Sequence, residues 1–186
     1  MIEPVLNQIT VAIFASDRGP GDAERASLMT QTGHHFARRG ARLLTLAEDG
    51  VPPVALITAA RTAGGAVEVV ADASIHLPPL LADVPVHIAA DQAERLALIA
   101  GRAQALVGLP GSLASASALF ATWSLAREQG RTLPVVLLNR HRAFEVVRGF
   151  SADVLSHSVR GYERAVQFAE TVEDLWGRTQ RLVEGR

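Results

Sequence analysis

The chain has 186 residues, of which 48 % are hydrophobic and 20 % charged, and its formal net charge at pH 7 is −1. This composition fits one globular domain and gives no general attraction to nucleic acid or to an anionic membrane. The sequence contains neither cysteine nor lysine, which excludes disulfides, zinc–thiolate sites and enzymes that form a Schiff base on a lysine. With no apolar run of about 18 residues and no signal-peptide pattern at the N-terminus, we expect a cytoplasmic protein.

Apolar runs typical of strands alternate with helical patterns along the whole chain. In chain order the predicted elements are strand 8–15, helix 21–39, strand 41–46, helix 53–63, strand 66–71, an irregular stretch 74–85, strand 86–90, helix 91–101, strand 103–109, helix 112–129, strand 134–139, helix 141–156, strand 165–169 and a final helix from Thr171. Nearly continuous apolar strands indicate a sheet that is covered on both faces.

Strands and helices that alternate with short joints predict a Rossmann-like α/β fold, with a doubly wound parallel sheet in a three-layer α/β/α arrangement. Because the sequence has no repeat and no linker, we expect residues 1–186 to form a single domain. Ligands of such sheets bind at the carboxyl ends of the strands, where the strand order reverses. The loops of interest are therefore 15–21, 46–53 and 109–115.

The loop LPGSLAS (109–115) joins an apolar strand to a helix rich in alanine and serine. The N–H groups at a helix start attract anions, and serine hydroxyls add further donors. The predicted ligand-binding residues in the first and third loops are Ser16, Asp17, Arg18, Pro110, Gly111, Ser112 and Ser115. The alternative for the serines is helix N-capping with small-residue packing, and for Asp17 and Arg18 it is an ordinary polar turn.

Two further segments carry a family resemblance. Arg95, in AERLALIA, precedes the LPG turn, and TLPVVLLN (132–139) forms the strand after the following helix. With the three loops, these segments resemble the Lonely Guy (LOG) family, which has an arginine at that spacing and a K-P-V-x-L-L-N strand. Its members are Rossmann-like homodimers that release the base from nucleoside 5′-monophosphates. The resemblance implies a homodimer with a nucleoside monophosphate-like ligand, and its motifs are specific across about residues 95–139.

The family's P-G-G-x-G-T-x-x-E motif and its triple-glycine turn are both altered in this chain. In the first motif, glycines are replaced by Ser112 and Ala114, the threonine by Ser115 and the glutamate by Ala118. The triple glycine falls on Ala47, Glu48 and Asp49. The departures therefore coincide with the residues that carry the family's chemistry.

Cleavage of an N-glycosidic bond passes through an oxocarbenium-like transition state, which a nearby carboxylate stabilises. The resemblance assigns that role to the motif glutamate, and Ala118 cannot perform it; such a loss costs about 10²–10⁴ in rate. Side chains on the former glycines hinder the approach of a phosphate, and carboxylates at Glu48 and Asp49 repel it. The sequence therefore predicts a degenerate member that binds an anionic or nucleotide-like molecule, or modulates a partner protein, without hydrolysis.

The residues leave open whether the chain is an enzyme. In the alternative hypothesis a rebuilt site acts on an N-glycoside or another small metabolite, and its catalytic candidates are Arg95 as the cation and Glu48, Asp49 or Asp17 as the carboxylate. The competing interpretations are a surface ion pair of Arg95 with Asp91 or Glu94, and a plain polar turn at residues 48–50. A third hypothesis is an inactive subunit that pairs with an active homologue.

The helical segments 127–131 and 144–150 are candidates for a dimer interface. The alternative for the aromatic residues Phe120, Trp123 and Phe144 is ordinary core packing. His34 and His35 lie on different faces of a helix, and no histidine stands at metal-ligand spacing with a carboxylate. We therefore expect no metal and no cofactor, and a small-molecule ligand rather than nucleic acid or a membrane as the partner.

Overall fold

Seven apolar runs form one sheet in the computed structural model, which describes residues 8–16 and 22–185. The strands are β1 (Thr10–Phe14), β2 (Arg42–Leu46), β3 (Val67–Ala71), β4 (Val86–Ile88), β5 (Ala105–Gly108), β6 (Val135–Leu138) and β7 (Val166–Ala169). Their order is β4-β3-β2-β1-β5-β6-β7, and all neighbouring pairs are parallel. The direction of winding reverses between β1 and β5, which makes the carboxyl ends of these two strands the switch point of the sheet.

Helices connect the strands and form both outer layers. They are α1 (Ala23–Arg38), α2 (Val54–Thr62), α3 (Gln92–Arg102), α4 (Leu113–Glu128), α5 (Glu145–Phe150), α6 (Ser156–Ser158), α7 (Tyr162–Ala165) and α8 (Val172–Val183). Helix α1 begins after Asp22, whose carboxylate accepts a hydrogen bond of 2.9 Å from the Glu24 N–H. It ends before Gly40, which takes a φ of 81° that few other residues adopt.

The two faces of the sheet support separate hydrophobic cores because side chains alternate along each strand. In β1, Val11 and Ile13 face the core shared with α1, α2 and α8, whereas Ala12 and Phe14 face the core shared with α3 and α4. All four side chains are buried. The predicted doubly wound, three-layer Rossmann-like fold is confirmed.

The prediction of one helix over 141–156 is wrong for its first residues, and the helical segment that follows them is irregular. Residues Arg140–Arg142 form a 3₁₀ turn in which His141 and Arg142 take left-handed φ values of 52° and 61°. The cause lies in Asn139, whose Oδ1 accepts a hydrogen bond of 2.7 Å from the Phe144 N–H. This bond fixes a tight turn directly after β6. Helix α5 starts only after it and continues into a π-helical segment over Ser151–Leu155.

Core packing is the observed role of two of the three aromatic residues considered above. Trp123 and Phe144 are each 8 % exposed in the core that α3 and α4 share with the sheet. The indole N–H of Trp123 also donates a hydrogen bond of 3.1 Å to the carbonyl of Leu133. Phe120 packs against the same core while remaining partly exposed.

Among the helices of the described residues, none combines the length and the apolar character needed to cross a bilayer.

Candidate functional site

The carboxyl ends of β1 and β5 lie against each other at the switch point. Ser16 is the second residue after the end of β1 and is 3 % exposed. A Cβ atom placed on Gly111 would lie 3.5 Å from the Cβ of Ser16 and 2.9 Å from the Oγ of Ser115. Because the second distance is shorter than a normal contact, a side chain at position 111 would force the Ser115 hydroxyl to shift. The loop LPGSLAS therefore lies close to Ser16, after the end of β1.

Ser112 and Ser115 form a reciprocal capping box at the start of α4. The Ser112 hydroxyl accepts a hydrogen bond of 3.0 Å from the Ser115 N–H, and the Ser112 N–H donates one of 3.2 Å to the Ser115 hydroxyl. The Ser115 hydroxyl in turn donates to the Ser112 carbonyl at 2.9 Å. Both hydroxyls thus stabilise the helix start, as the capping alternative predicts.

A groove of about 600 Å³ opens at this switch point. We name it the switch-point groove and define it by three segments that line it: residues of 22–28 at the start of α1, the turn 110–113, and residues of 140–147. Its predicted members Pro110, Gly111 and Ser112 line one wall. The volume is in the range of about 300–1,000 Å³ typical of small-molecule sites.

The groove is also lined by charged residues that no family motif marks. The carboxylate of Glu24 accepts a hydrogen bond of 2.7 Å from the Nε2 of His141. The same oxygen, Oε1, lies 3.6 Å from the Nε of Arg140. The basic run NRHR after an apolar strand is a sequence signal for this site. The acidic partner of His141 is Glu24, which lies 117 positions away in the sequence, so only the fold shows that the two residues are paired.

A second, smaller cavity of about 90 Å³ lies on the other side of Ser112. We name it the side cavity; its lining includes Glu48, Asp49, Arg95 and Ala118. The fold therefore brings three of the four catalytic candidates of the alternative hypothesis together with the residue that replaces the family's glutamate, and the fourth, Asp17, lies outside the described residues. The Ser112 hydroxyl, which belongs to the groove, donates a hydrogen bond of 3.3 Å to the Glu48 carboxylate.

Glu48 and Asp49 belong to a tight turn between β2 and α2. The Val51 N–H donates to the Glu48 carbonyl at 2.9 Å, and the two central residues take φ values of 47° at Asp49 and 75° at Gly50. Two positive φ values in succession are typical of a type I′ turn. The polar-turn interpretation of this segment is correct for the backbone, although both carboxylate residues also line the side cavity.

Arg95 is held by backbone carbonyls. Its Nη1 donates hydrogen bonds of 2.7 Å to the Ala89 carbonyl and 2.8 Å to the Ala90 carbonyl. No ion pair joins it to Asp91 or Glu94 in the part of the chain that the structure describes, so the surface-pair interpretation is wrong. The carboxylate of Asp91 instead caps α3 by accepting from the Ala93 N–H at 3.0 Å.

The predicted ligand-binding residues Asp17 and Arg18 lie outside the described residues. Within the described ranges, no three His, Asp or Glu side chains come together in a way that could hold a metal ion.

A half-buried charge cluster lies away from both cavities, near the amino ends of β2 and β3. Glu68 accepts hydrogen bonds of 2.6 Å from His87 and 2.6 Å from Arg102, and Arg42 lies 3.5 Å from its other oxygen. Burial alone raises the pKa of the Glu68 carboxyl, but the hydrogen bonds and charges of His87 and Arg102 outweigh it. The net pKa lies below the usual value.

No protein-family model matches the sequence, and no curated protein matches it. Solved structures share its fold. The protein TM1055 has a TM-score of 0.71 at 20 % identity and covers 94 % of this chain and 99 % of its own. The molybdenum cofactor carrier protein of Chlamydomonas reinhardtii has a TM-score of 0.66 at 18 % identity, with 96 % and 99 % covered. The molybdenum cofactor binding protein of the phototrophic bacterium Rippkaea orientalis has a TM-score of 0.65 at 14 % identity, with 96 % and 99 % covered. These similarities establish the Rossmann-like α/β/α fold along nearly the full chain.

Proposed function

We propose that this chain is a degenerate relative of the LOG family that binds a small anionic organic molecule, such as a nucleoside 5′-monophosphate, without cleaving it. The ligand lies in the switch-point groove. The single observation that carries the proposal is a groove of ligand size at the switch point. At the position of the family's glutamate, in the side cavity, the chain has a buried alanine. Ala118 is 3 % exposed.

The lining of the groove suits an anion joined to an apolar body. The basic residues of the lining are Arg25, Arg140 and His141, and its acidic residues are Asp22 and Glu24. Leu28 and Phe144 supply apolar surface. Small-molecule sites combine these features, because apolar contact provides most of the affinity while a few polar groups fix the orientation.

The residues near the turn 110–113 explain why we expect no hydrolysis. A carboxylate near the anomeric carbon would stabilise the cationic sugar of the transition state. The methyl group of Ala118 supplies no charge, and the Glu48 carboxylate of the side cavity accepts a hydrogen bond from Ser112. That carboxylate lies outside the groove in which we place the ligand. The acidic residues of the groove itself have other roles, because Asp22 caps α1 and Glu24 is paired with His141 and Arg140.

The molybdenum cofactor carriers that share this fold widen the set of ligands to be tested. We include the molybdenum cofactor as a second ligand class beside nucleoside monophosphates. A binding or carrier role is compatible with a chain that keeps the groove and lacks the hydrolytic carboxylate.

The test is isothermal titration of the purified protein with AMP, GMP, CMP and UMP and with the molybdenum cofactor, combined with chromatography for free base. We expect saturable binding of at least one ligand and no base release above that of buffer. Free base at rates typical of an active hydrolase would overturn the proposal, as would the absence of binding by every ligand.

A matched pair of variants places the ligand. Ala143→Trp puts a large side chain at an exposed position that lines the groove, so it is expected to weaken binding about tenfold or more. Ala152→Trp makes the same change at an exposed position in the adjoining π-helical segment that does not line the groove, and it leaves the affinity unchanged. Equal affinities of the two variants would exclude the groove.

The second candidate function is an enzyme with a rebuilt site, and the side cavity favours it. Glu48, Asp49 and Arg95 line one cavity with Ala118, so a displaced carboxylate and a cation are available together. We rank this candidate second because the cavity, at about 90 Å³, is far below the usual size of a ligand site. Arg95 is also engaged by two carbonyls.

If the wild-type protein releases base, two isosteric variants would show which carboxylate is responsible. If Glu48 replaces the family's glutamate, Glu48→Gln lowers the rate about 10²–10⁴-fold, while Asp49→Asn, on the same turn, has little effect. The reverse pattern would assign the role to Asp49. Equal rates in both variants and the wild type would exclude a rebuilt site at this turn.

A further inference from the structure

One carboxylate oxygen of Glu24 is shared by two basic side chains at the switch-point groove. Oε1 lies 2.7 Å from the Nε2 of His141 and 3.6 Å from the Nε of Arg140. All three residues line the groove. A carboxylate or phosphate oxygen of a ligand has the same acceptor chemistry as the oxygen that Glu24 places between these two donors.

The two basic residues sit on a turn with a fixed backbone. Asn139 is 1 % exposed, and its side chain accepts from the Phe144 N–H at 2.7 Å and donates to the Glu145 carboxylate at 3.0 Å. The left-handed φ of 52° at His141 is held by this arrangement. The donors are therefore presented by a rigid segment, at the end of β6.

Glu24, by contrast, is a readily displaced partner. Its side chain is 48 % exposed, and those of Arg140 and His141 are 46 % and 71 % exposed. Ion pairs between exposed side chains contribute little stability because water screens them and the long side chains lose freedom. An incoming anion can therefore replace the Glu24 carboxylate at a small cost.

Apolar side chains lie beside this charged end of the groove. Leu113 is 84 % exposed and Val146 is 88 % exposed, and both line the groove. Large exposed apolar side chains at the edge of a concave surface mark a place where a ligand's apolar part is covered. A molecule that spans both regions carries an anionic group next to an apolar or planar body.

We propose that Arg140 and His141 bind the anionic group of the groove's ligand and that the Glu24 carboxylate is an internal competitor, which occupies their site until the ligand displaces it. This inference rests on the proposed function for the location of the ligand. It adds three residues that set affinity for the anion, none of which belongs to the motifs shared with the LOG family.

The test compares Glu24→Gln with Glu163→Gln, which removes the same charge at an exposed position outside the groove. Inorganic phosphate is titrated at constant ionic strength while the His141 ring signal is followed by NMR, assigned with His141→Gln. Loss of the competitor is expected to tighten phosphate and AMP binding about two- to fivefold in Glu24→Gln and not in Glu163→Gln. Arg140→Gln is expected to weaken AMP binding about tenfold or more, while Arg160→Gln, an exposed arginine outside the groove, leaves it unchanged.

The outcomes separate this inference from the proposed function. If the phosphate concentration that half-shifts the His141 signal is the same in Glu24→Gln and in Glu163→Gln, the inference is wrong. This holds even when AMP binds elsewhere in the groove. If phosphate responds as expected but neither AMP nor any other tested ligand binds, the inference holds and the proposed function fails. Equal AMP affinities of Arg140→Gln and Arg160→Gln also contradict the inference.

Discussion

The hydroxyl of Ser112 donates a hydrogen bond of 3.3 Å to the carboxylate of Glu48, although 64 positions separate the two residues. Ser112 lines the switch-point groove, and Glu48 lines the side cavity. The bond therefore joins the turn after β2 to the start of α4 and lies where the two cavities meet. Ser112 has two structural roles, because the same hydroxyl also caps α4.

We predict that Ser112→Ala lowers the free energy of unfolding by about 1 kcal/mol, because it removes an N-cap. Ser112→Gly is expected to cost only a few tenths of a kcal/mol, because glycine is also a favoured N-cap residue. Urea unfolding followed by circular dichroism measures both. The control is Ser117→Ala, an exposed serine within α4, for which we expect a change within about 0.5 kcal/mol. Equal losses at 112 and 117 would contradict the capping role.

Gly111→Ala is predicted to destabilise the protein by about 1–3 kcal/mol, the usual cost of inserting an atom into a packed site. The new Cβ would lie 2.9 Å from the Ser115 hydroxyl, which is fixed by its bond to the Ser112 carbonyl. In a Ser115→Ala background the clashing atom is gone, so the same substitution is expected to cost less. A double-mutant cycle in urea measures the difference.

Gly101→Ala is the control for that cycle. Gly101 lies within α3 and has no atom within 4 Å of its hypothetical Cβ. Alanine there is expected to stabilise the protein by about 0.5–1 kcal/mol, because glycine loses more freedom than alanine in a helix. A cost of Gly111→Ala that is the same with and without the Ser115 hydroxyl would show that the close contact is not its cause.

Glu68→Gln is predicted to destabilise the protein at pH 7 by about 1–3 kcal/mol, because it leaves His87 and Arg102 without their carboxylate. The pKa of Glu68 is lowered in the folded protein from its usual 4.5, so the unfolded chain holds this proton more tightly. The stabilisation is therefore present above pH 4.5 and is lost as the pH falls through the folded-state pKa. Urea unfolding at pH 7, 5.5 and 4 should show the two proteins converging at low pH.

Glu163→Gln, at an exposed site without an ion pair among the described residues, provides the control for Glu68. It should track the wild-type protein at every pH. A constant difference between Glu68→Gln and the wild type down to pH 4 would mean that the charge of Glu68 does not stabilise the fold.

His35 is expected to make the protein less stable as the pH falls below neutrality. Its Nε2 is buried without a hydrogen-bond partner in the described residues, and burial, followed by the nearby charge of Arg39, lowers its pKa from the usual 6.5. Because the unfolded chain binds the proton more readily, stability is lost as the pH falls from about 6.5 towards the folded-state pKa. His35→Gln should reduce the slope of stability against pH between 7 and 5.5, measured by urea unfolding.

The neighbouring His34 is the matched control for this pH dependence. Its side chain is exposed on another face of α1. His34→Gln should keep the wild-type slope, and a slope that is equal in both variants would contradict the assignment to His35.

The strands could be predicted from the sequence because each is a short apolar run that the sheet covers on both faces. Val11–Phe14 and Val135–Leu138 are almost fully buried, so continuous hydrophobicity was a sufficient signal. Helix starts were also predictable where a local cap is present, as at Ser112 and at Thr171, whose hydroxyl accepts from the Asp174 N–H at 3.1 Å.

The candidate site was less predictable because its contacts join distant parts of the chain. The loop at 109–115 and the carboxylate at Glu48 could be selected from the sequence, and the fold brings them together. The pairing of Glu24 with His141 could not, because nothing local to either residue indicates the other. The turn at Arg140–Arg142 was missed since the apolar residues that follow it continue a helical pattern, while the bond from the Phe144 N–H to Asn139 decides the backbone.

One of the two outermost strands, β4, is the shortest strand of the sheet. β4 has three residues and follows Pro85, and β7 has four. Short outer strands and a neighbouring proline offer few N–H and C=O groups to a foreign strand, which discourages edge-to-edge aggregation. An intermolecular sheet that continues across the β4 edge is therefore disfavoured.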